Sequence, residues 1–309
     1  MSFKNTKAII LAAGCGKRMK SELPKVLHKI FDVELLKYVY NAINSLVDLS
    51  YIIVGHQATL VENYCNNNLK NIKCLLQSPQ RGTGDAVKKA YNELEDFEGN
   101  VIILCGDAPL IQESTIKEFI EYHNQNQSTV TVMTTEVANP KGYGRIIRDE
   151  HNKLLKIVEE KDANSIQKEI KEVNGGVYCL DWQKIKQAFN ELDCNNAQNE
   201  YYLTDIIEIL STTKKVNAFL ANNDFKLTGI NDLYALAEVE KKYQQVINEN
   251  HMLNGVHLIN PDSILIEDTV VIEPSVTIDA CSIIRGNTKI KSGTYIEPFS
   301  LIVDGKKIK

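Results

Sequence analysis

The sequence predicts an α/β fold with a mostly parallel sheet, followed by a short parallel β-helix. Apolar strand segments alternate with helical patterns over the first two thirds of the chain. Such alternation favours a parallel sheet with helices on both faces. Near the C-terminus isoleucine recurs at every sixth position, which is the period of a β-helix built from hexapeptides. A glycine-rich, cationic loop after the first predicted strand indicates where a ligand binds.

The sheet is predicted from short apolar runs, and the helices are predicted from apolar residues three or four positions apart. Ligands of such sheets bind at the carboxyl ends of the strands. The predicted strands are Ala8–Leu11, Tyr51–Gly55, Ile72–Leu76, Val101–Leu104, Thr129–Thr135, Arg145–Arg148, Leu154–Val158 and Val173–Leu180. The predicted helices are Val26–Leu49 with a break near Phe31, Gln57–Leu69, Gly84–Leu94, Glu113–His123, Trp182–Leu192, Tyr201–Leu210 and Asp232–Asn250.

The six-residue repeat runs from Ile266 to Ile302, and small or β-branched residues stand two positions before each isoleucine. At three hexapeptides per coil this makes about two coils, which is near the minimum that stacks stably. The exposed coil ends need a cap or a partner. We therefore expect a main domain over 1–230, a linker helix over 231–252 and the β-helix over 253–309.

Bulk properties exclude several classes of protein. The 309 residues carry a net charge of −5, which argues against binding to nucleic acid or to a membrane surface. The seven cysteines form no C-x-x-C pair, so neither disulfides nor structural zinc are expected. No apolar run is long enough to span a membrane and no signal peptide precedes Ala8, so a cytoplasmic protein is expected.

The loop after the first strand contains Gly14 and Gly16 and then the cations Lys17, Arg18 and Lys25. Backbone N–H groups and positive charge at the end of a buried strand can hold a phosphate chain. The spacing differs from a Walker A loop and from a dinucleotide fingerprint. We therefore interpret it as a nucleoside triphosphate loop of another kind, and an ordinary glycine turn with a solvated basic face remains the alternative.

Two further segments follow predicted strands. Asp107 ends the fourth strand, where its carboxylate could hold Mg²⁺, and the alternative is a helix N-cap. Gln77 offers the donor and the acceptor that pair with the imide edge of uracil or thymine. Gly82 and Thr83 would let the backbone approach the base. A plain turn between strand and helix is the alternative for this segment.

Glu159 and Asn174 carry polar groups that could bind sugar hydroxyls, although each residue type is more often found at a surface or in a cap. Asn231 directly precedes a predicted helix, and taken alone it indicates an N-cap.

The order of the motifs is more specific than any one of them. The chain resembles sugar-1-phosphate nucleotidyltransferases. More narrowly, it is similar to the uridyltransferase half of bifunctional N-acetylglucosamine-1-phosphate uridyltransferase/glucosamine-1-phosphate acetyltransferase. The resemblance covers nearly the whole chain. It rests on L-A-A-G-C-G-K-R-M-K-S-E-L-P-K-V-L-H, Q-S-P-Q-R-G-T-G-D-A-V, C-G-D-A-P-L, N-P-K-G-Y-G-R-I, I-V-E-E-K-D-A, V-N-G-G-V-Y, N-N-A-Q-N-E-Y-Y-L-T-D-I-I, G-I-N-D and H-M-L-N-G-V.

The resemblance implies a Rossmann-like nucleotidyltransferase domain followed by a left-handed β-helix. It also implies Mg²⁺-dependent transfer of UMP from UTP to N-acetylglucosamine-1-phosphate, which yields pyrophosphate and UDP-N-acetylglucosamine, a peptidoglycan precursor. It assigns nucleotide contacts to Leu11, Ala12, Ala13 and Gly14, phosphate binding to Arg18 and Lys25, uracil recognition to Gln77, Gly82 and Thr83, Mg²⁺ to Asp107 and Asn231, and the N-acetylglucosamine moiety to Gly144, Glu159 and Asn174.

Four positions near the implied site depart from the family pattern, so we expect affinity or substrate preference to differ. Lys17 stands in place of the usual threonine, Asp85 in place of histidine, Cys105 in place of an aromatic residue and Gly175 in place of threonine.

The β-helix is long in the family and carries the acetyltransferase site, whereas this sequence has about two coils. We therefore expect the chain to lack acetyltransferase activity and to form the family's homotrimer only weakly. Two other functions stay open. One is uridylyl or thymidylyl transfer to another sugar-1-phosphate such as glucose-1-phosphate. The other is an inactive trimeric scaffold, against which the intact Arg18, Lys25, Asp107 and Asn231 argue.

Overall fold

The computed structural model describes residues 3, 5–221, 227 and 229–308. It divides into two compact units, Met1–Asp232 and Leu233–Lys309. The first unit contains the main sheet, and the second contains a long helix and the repeats.

The first unit is built on a nine-stranded sheet. Its strands are β1 (Thr6–Ala12), β2 (Leu49–Val54), β3 (Ile72–Leu76), β4 (Asn100–Cys105), β5 (Val130–Glu136), β6 (Arg145–Arg148), β7 (Leu154–Val158), β8 (Glu172–Asp181) and β9 (Val216–Leu220). In space the order is β9-β5-β8-β4-β1-β2-β3, while β6 pairs with β8 and with β7.

The centre of the sheet is parallel, as predicted. Strand β1 runs parallel to both β2 and β4, and β2 runs parallel to β3. Strand β8 is antiparallel to β4 and to β5. Side chains alternate between the two faces, so Ile9 lies in one hydrophobic core while Ala8 and Ile10 lie in the other. The sheet is therefore buried on both faces.

The helices of the first unit are mostly short. They are α1 (Leu35–Ile43), α2 (Ala58–Asn68), α3 (Thr83–Lys88), α4 (Glu113–Gln125), α5 (Ser165–Lys168), α6 (Trp182–Ile185) and α7 (Asp205–Ser211). Single turns of 3₁₀-helix add Lys17–Met19, Lys25–Leu27, Asn92–Leu94 and Lys186–Asn190.

The helices predicted over Gly84–Leu94 and Trp182–Leu192 end early and are followed by 3₁₀ turns, and two other helices begin later than predicted. The segment from Val26 to Glu34 forms a 3₁₀ turn and a small hairpin, Lys29–Ile30 with Val33–Glu34, rather than helix. Phe31, in the turn of that hairpin, has a φ of 53°, which a helix cannot contain. The predicted helix at Tyr201 begins only at Asp205. Tertiary contacts determine the conformation of both segments.

In the second unit, α8 (Leu233–Leu253) is followed by short strands, which pair in parallel except for the last one, which pairs antiparallel with the strand before it. The strands are β10 (His257–Leu258), β11 (Leu265–Ile266), β12 (Val271–Ile272), β13 (Thr277–Ile278), β14 (Ile283–Arg285), β15 (Lys289–Ile290), β16 (Tyr295–Ile296), β17 (Leu301–Val303) and β18 (Lys306–Lys307). Ile284 pairs with Ile266 on one side and with Ile302 on the other, so successive coils are 18 residues apart. The repeat isoleucines from 266 to 296 are buried. Within the described residues, no helix has the length and apolar character needed to cross a membrane.

Candidate functional site

A cavity of about 670 Å³ lies at the carboxyl ends of the parallel strands of the first unit. This volume is typical of small-molecule sites. Nine of the residues that the sequence predicted for the site line it: Leu11, Ala12, Ala13, Gly14, Lys25, Gln77, Gly82, Thr83 and Asp107. The strand order explains the grouping, because β1, β3 and β4 all end at this edge of the sheet.

The cationic loop folds around Gly16, whose φ is 56°. A Cβ at Gly16 would lie 2.9 Å from the Cβ of Lys25, so only glycine lets the two chains approach this closely. Met19 is buried and anchors the turn. Arg18, between Gly16 and Met19 in sequence, is exposed and is not among the residues that line the cavity. The structure therefore brings Lys25 into the cavity and leaves Arg18 beside it.

Lys25 joins the two residues predicted to bind metal. Its ammonium forms an ion pair with Asp107 Oδ2 and donates to Asn231 Oδ1 at 3.3 Å. The backbone N–H of Ile230 donates to the carbonyl of Asp107 at 2.9 Å, which fixes Asn231 next to the end of β4. Asp107 is not a helix N-cap, because α4 begins at Glu113 with Gln112 as its N-cap residue. The alternative interpretation of Asp107 was therefore wrong.

The donor atoms at this point suit a hard divalent cation. Asp107 offers carboxylate oxygens and Asn231 an amide oxygen, and both atoms that face Lys25 already contact a positive charge. The described residues contain no group of three or more His, Cys, Asp or Glu placed to hold a metal. Mg²⁺ commonly uses one or two protein oxygens together with water and substrate phosphates. The residues present fit that mode of binding.

Gln77 is 3% exposed, and its amide is held inside the protein. The Nε2 group donates to the carbonyl of Gly82 and to Asp85 Oδ2, both at 2.9 Å. Asp85 is itself 3% exposed, and it pairs with Arg81 at 3.1 Å and with Lys89 at 3.4 Å. These contacts lower the pKa of Asp85 against the opposing effect of burial. The side chain predicted to recognise a base is therefore already oriented.

The segment around Tyr201 forms a wall of the cavity. Tyr201 N donates to the carbonyl of Arg81, and Gly84 N donates to the carbonyl of Tyr201, both at 2.8 Å. Thr83 Oγ1 accepts a hydrogen bond from Leu203 N at 2.9 Å. Backbone hydrogen bonds therefore hold this segment extended against the start of α3, which explains why the predicted helix starts late. The Thr83 hydroxyl is used in this hydrogen bond, so Thr83 would contact a base through its backbone.

The three residues predicted for the sugar lie together. Asn174 N donates to the carbonyl of Gly144 at 2.9 Å, and a Cβ at Gly144 would lie 3.5 Å from Glu159 Oε2. Glu159 Oε1 accepts a hydrogen bond from the Thr204 hydroxyl at 3.0 Å. Burial raises the pKa of Glu159, and the Thr204 hydrogen bond opposes the rise. A carboxylate, an amide and a glycine backbone thus lie next to one another.

Cys105 connects this group with the cavity. It lines the cavity at the end of β4, and its Sγ lies 3.6 Å from the carbonyl of Gly176, two residues after Asn174. Burial, followed by the charge of Asp107, raises the pKa of Cys105 to about 12. All seven cysteines are free, and this one is a neutral thiol between the two predicted subsites.

Sequence reasoning assigned no role in the site to three residues that line the cavity: Gln80, Lys161 and Gln198. Lys161 Nζ donates to Gln198 Oε1 at 2.7 Å and so ties the Tyr201 wall to the segment after β7. Lys161 lies two residues after Glu159 in the motif I-V-E-E-K-D-A, and this closeness to a predicted site residue could have pointed to it. Lys17 had been noted as an extra cation, and the structure places it in the cavity wall.

Comparisons with known proteins show the family and the fold. A family described as nucleotidyl transferase matches residues 7–245. The chain is 45% identical over 252 residues to "Bifunctional protein GlmU" of Clostridioides difficile, covering 81% of this chain and 54% of that protein. It is 42% identical over 300 residues to the protein of the same name from Streptococcus mutans, covering 96% and 64%. The chain thus spans little more than half to about two thirds of these curated relatives.

Solved structures show the same fold. The crystal structure of UDP-glucose pyrophosphorylase complexed with UDP-glucose superposes on this chain with a TM-score of 0.62 at 19% identity. The match covers 78% of this chain and 99% of that one. At this identity the likeness concerns the fold alone.

Proposed function

This chain belongs to the nucleotidyl transferase family, and from that premise we propose that it transfers UMP from UTP to N-acetylglucosamine-1-phosphate. The products are UDP-N-acetylglucosamine and pyrophosphate. Its curated relatives are named as bifunctional proteins, and the ordered motifs support the uridyltransferase half of such an enzyme. The proposal includes Mg²⁺ as the metal, held by Asp107 and Asn231.

The observation that carries the proposal is the arrangement of polar groups around one cavity. The β1 loop and Lys25 lie at the end of β1, the oriented Gln77 amide follows β3, and Asp107 follows β4. The group of Gly144, Glu159 and Asn174 adjoins the cavity through Cys105. This arrangement would give a triphosphate and a base places around one cavity, with the sugar next to it.

In the proposed reaction a phosphate oxygen of the sugar attacks the α-phosphorus of UTP. The bond from that phosphorus to the bridging oxygen breaks, and pyrophosphate leaves with the electron pair. The acceptor phosphate is already ionised at neutral pH, so no side chain has to remove a proton. The chain's residues would act by holding the two substrates and neutralising charge. Lys25 is the cation best placed for this, and Arg18 would add charge from outside the cavity.

A bound Mg²⁺ would supply charge neutralisation on the phosphate oxygens. Asp107 and Asn231 would hold it, and their oxygens would keep it close to Lys25. Glu159 and Asn174 would orient the sugar. The raised pKa of Glu159 follows from burial, which also makes its hydrogen bonds stronger than they would be in water.

A pyrophosphate-release assay tests the proposal. With UTP, N-acetylglucosamine-1-phosphate and Mg²⁺ we expect turnover, and Asp107→Asn should lower it about 10²-fold or more, since it removes charge without changing shape. Glu150→Gln, which neutralises an exposed carboxylate in the turn after β6, is the matched control and should turn over like the unmodified protein.

The substrate panel separates the remaining possibilities. Faster release with glucose-1-phosphate would make the sugar assignment wrong, and faster release with dTTP would make the base assignment wrong. Release that does not depend on a sugar phosphate would indicate hydrolysis of UTP rather than transfer, and no release with any sugar phosphate would favour the inactive scaffold. A parallel reaction with acetyl-CoA and glucosamine-1-phosphate tests the expectation that these residues lack acetyltransferase activity.

A further inference from the structure

We propose that Asp85 is a positioning residue that sets the base preference of the site by fixing which atom of Gln77 faces the cavity. This inference rests on the proposed function, in which Gln77 contacts the base of a nucleotide. Asp85 stands where the family pattern has histidine, and the proposal gives this difference a part in the choice of base.

The contacts of the Gln77 amide define its orientation. Nε2 carries two hydrogens, and the two acceptors within reach are Asp85 Oδ2 and the carbonyl of Gly82. Neither acceptor can donate, because Asp85 is ionised and the other is a carbonyl. Turning the amide over would place Oε1 against both of them. Asp85 and Gly82 therefore hold the amide in one of its two orientations.

Asp85 is kept ionised by its own neighbours. Arg81 and Lys89 both contact Oδ1, while Gln77 takes Oδ2. The two carboxylate oxygens thus have separate functions, one toward the cations and one toward the amide. A histidine here, as in the usual family pattern, could also donate, so it would not fix the amide in the same way.

The atom left to face the cavity is the carbonyl oxygen of Gln77. Gln77 lines the cavity, and both hydrogens of Nε2 are already used. Among the described residues no hydrogen-bond partner approaches Oε1, and that atom is not one of the fully buried, unsatisfied ones. The site therefore presents an acceptor to the edge of a base.

An acceptor at this position selects a base that offers a donor. Uracil carries a hydrogen on N3 of its imide edge, whereas N3 of cytosine is an unprotonated acceptor and would face Oε1 across a repulsive contact. Thymine has the same imide edge as uracil, so Oε1 does not separate these two bases. Asp85 thus acts on the choice between uracil and cytosine, and it does so through Gln77.

Competitive binding of UTP, CTP and 5-methyl-UTP tests this without depending on turnover. Asp85→Ala removes one of the two acceptors and frees the amide to turn, so the preference for UTP over CTP should fall about tenfold, the usual worth of one hydrogen bond. The ratio of UTP to 5-methyl-UTP should stay constant. With UTP in the transfer assay, KM should rise while kcat holds.

Lys89→Met is the matched control, because it removes an ion-pair partner of Asp85 and leaves the hydrogen bond to Gln77 in place. It should keep the ratio of the unmodified protein. Asp85→Asn preserves shape and covers the case in which the alanine variant fails to fold. Its amide oxygen would stay with Arg81 and Lys89, so its NH2 group would face Gln77 and favour the other orientation of the Gln77 amide, and the ratio should fall here too.

The inference is overturned if the unmodified protein does not prefer UTP to CTP, or if both Asp85 variants weaken the two nucleotides equally. Failure of the proposed function has another signature, namely no binding of UTP to the unmodified protein and no pyrophosphate release.

Discussion

Replacing Gly82 with alanine should destabilise the first unit and displace the wall of the cavity. The φ of Gly82 is 107°, in a region that is essentially reserved for glycine and costs other residues about 1–3 kcal/mol. A Cβ there would lie 2.5 Å from the carbonyl oxygen of Tyr201 and 2.8 Å from its nitrogen. Both are backbone atoms, so no side-chain rotation can relieve the contact.

The loss in the free energy of unfolding can be summed from the backbone strain and the hydrogen bonds that weaken. If Tyr201 moves, the hydrogen bonds that join it to Arg81 and Gly84 weaken, and each is worth about 0.5–1.5 kcal/mol net. Together with the backbone strain this predicts a loss of about 4 kcal/mol. For a unit of this size the melting temperature should fall by about 10 °C.

Calorimetry of Gly82→Ala measures the change in melting temperature, and titration with UTP measures whether the displaced cavity wall weakens binding. We expect the affinity for UTP to fall as well, because Gly82 also accepts from the Gln77 amide. Gly14→Ala is the control for stability, since a Cβ at Gly14 meets nothing within 4 Å. A melting temperature within about 2 °C of the unmodified protein would refute the claim that Gly82 is required by this packing.

Two further predictions concern single hydrogen bonds and pH. Thr83→Val keeps the shape but removes the acceptor for Leu203 N, so chemical unfolding should show a loss of about 1–3 kcal/mol, which Thr83→Ser should not show. Burial lowers the pKa of His123 to about 4, so the unfolded chain alone binds a proton between about pH 6.5 and 4, and stability should fall by up to about 3 kcal/mol as pH drops through that window. Burial raises the pKa of Asp205 to about 6, so this group has the opposite effect on stability as pH drops. The free energy of unfolding in urea should therefore be measured for the unmodified protein and for His123→Gln at each pH. A difference between the two proteins that does not change with pH would contradict the prediction.

The central strands could be predicted because they are buried on both faces. A strand that is buried on both faces, such as β1, consists almost entirely of apolar residues, and this apolar run predicts the strand directly. The hairpin before α1 could not be predicted, because its apolar residues also satisfy a helical spacing. Only the positive φ of Phe31 separates the two interpretations, and no residue type enforces it.

The site was predictable where it follows strand ends and unpredictable where tertiary contacts build it. Asp107 and Gln77 come together because their strands end at the same edge. The wall at Tyr201 depends on backbone hydrogen bonds to residues more than a hundred positions earlier, and such bonds leave no pattern in side chains. The exposed position of Arg18 was equally hidden, since Lys25, from the same cationic loop, lines the cavity.

Three carboxylates at or next to the cavity share one mode of action. Asp85 fixes the amide of Gln77, Asp107 fixes the ammonium of Lys25, and Glu159 accepts from Thr204. Each carboxylate thus orients a donor, and none needs to exchange a proton. This agrees with a transfer in which the attacking phosphate is already ionised and catalysis depends on position and charge. A site that required a general base would need one carboxylate free of such a partner, and these three are all committed to other groups.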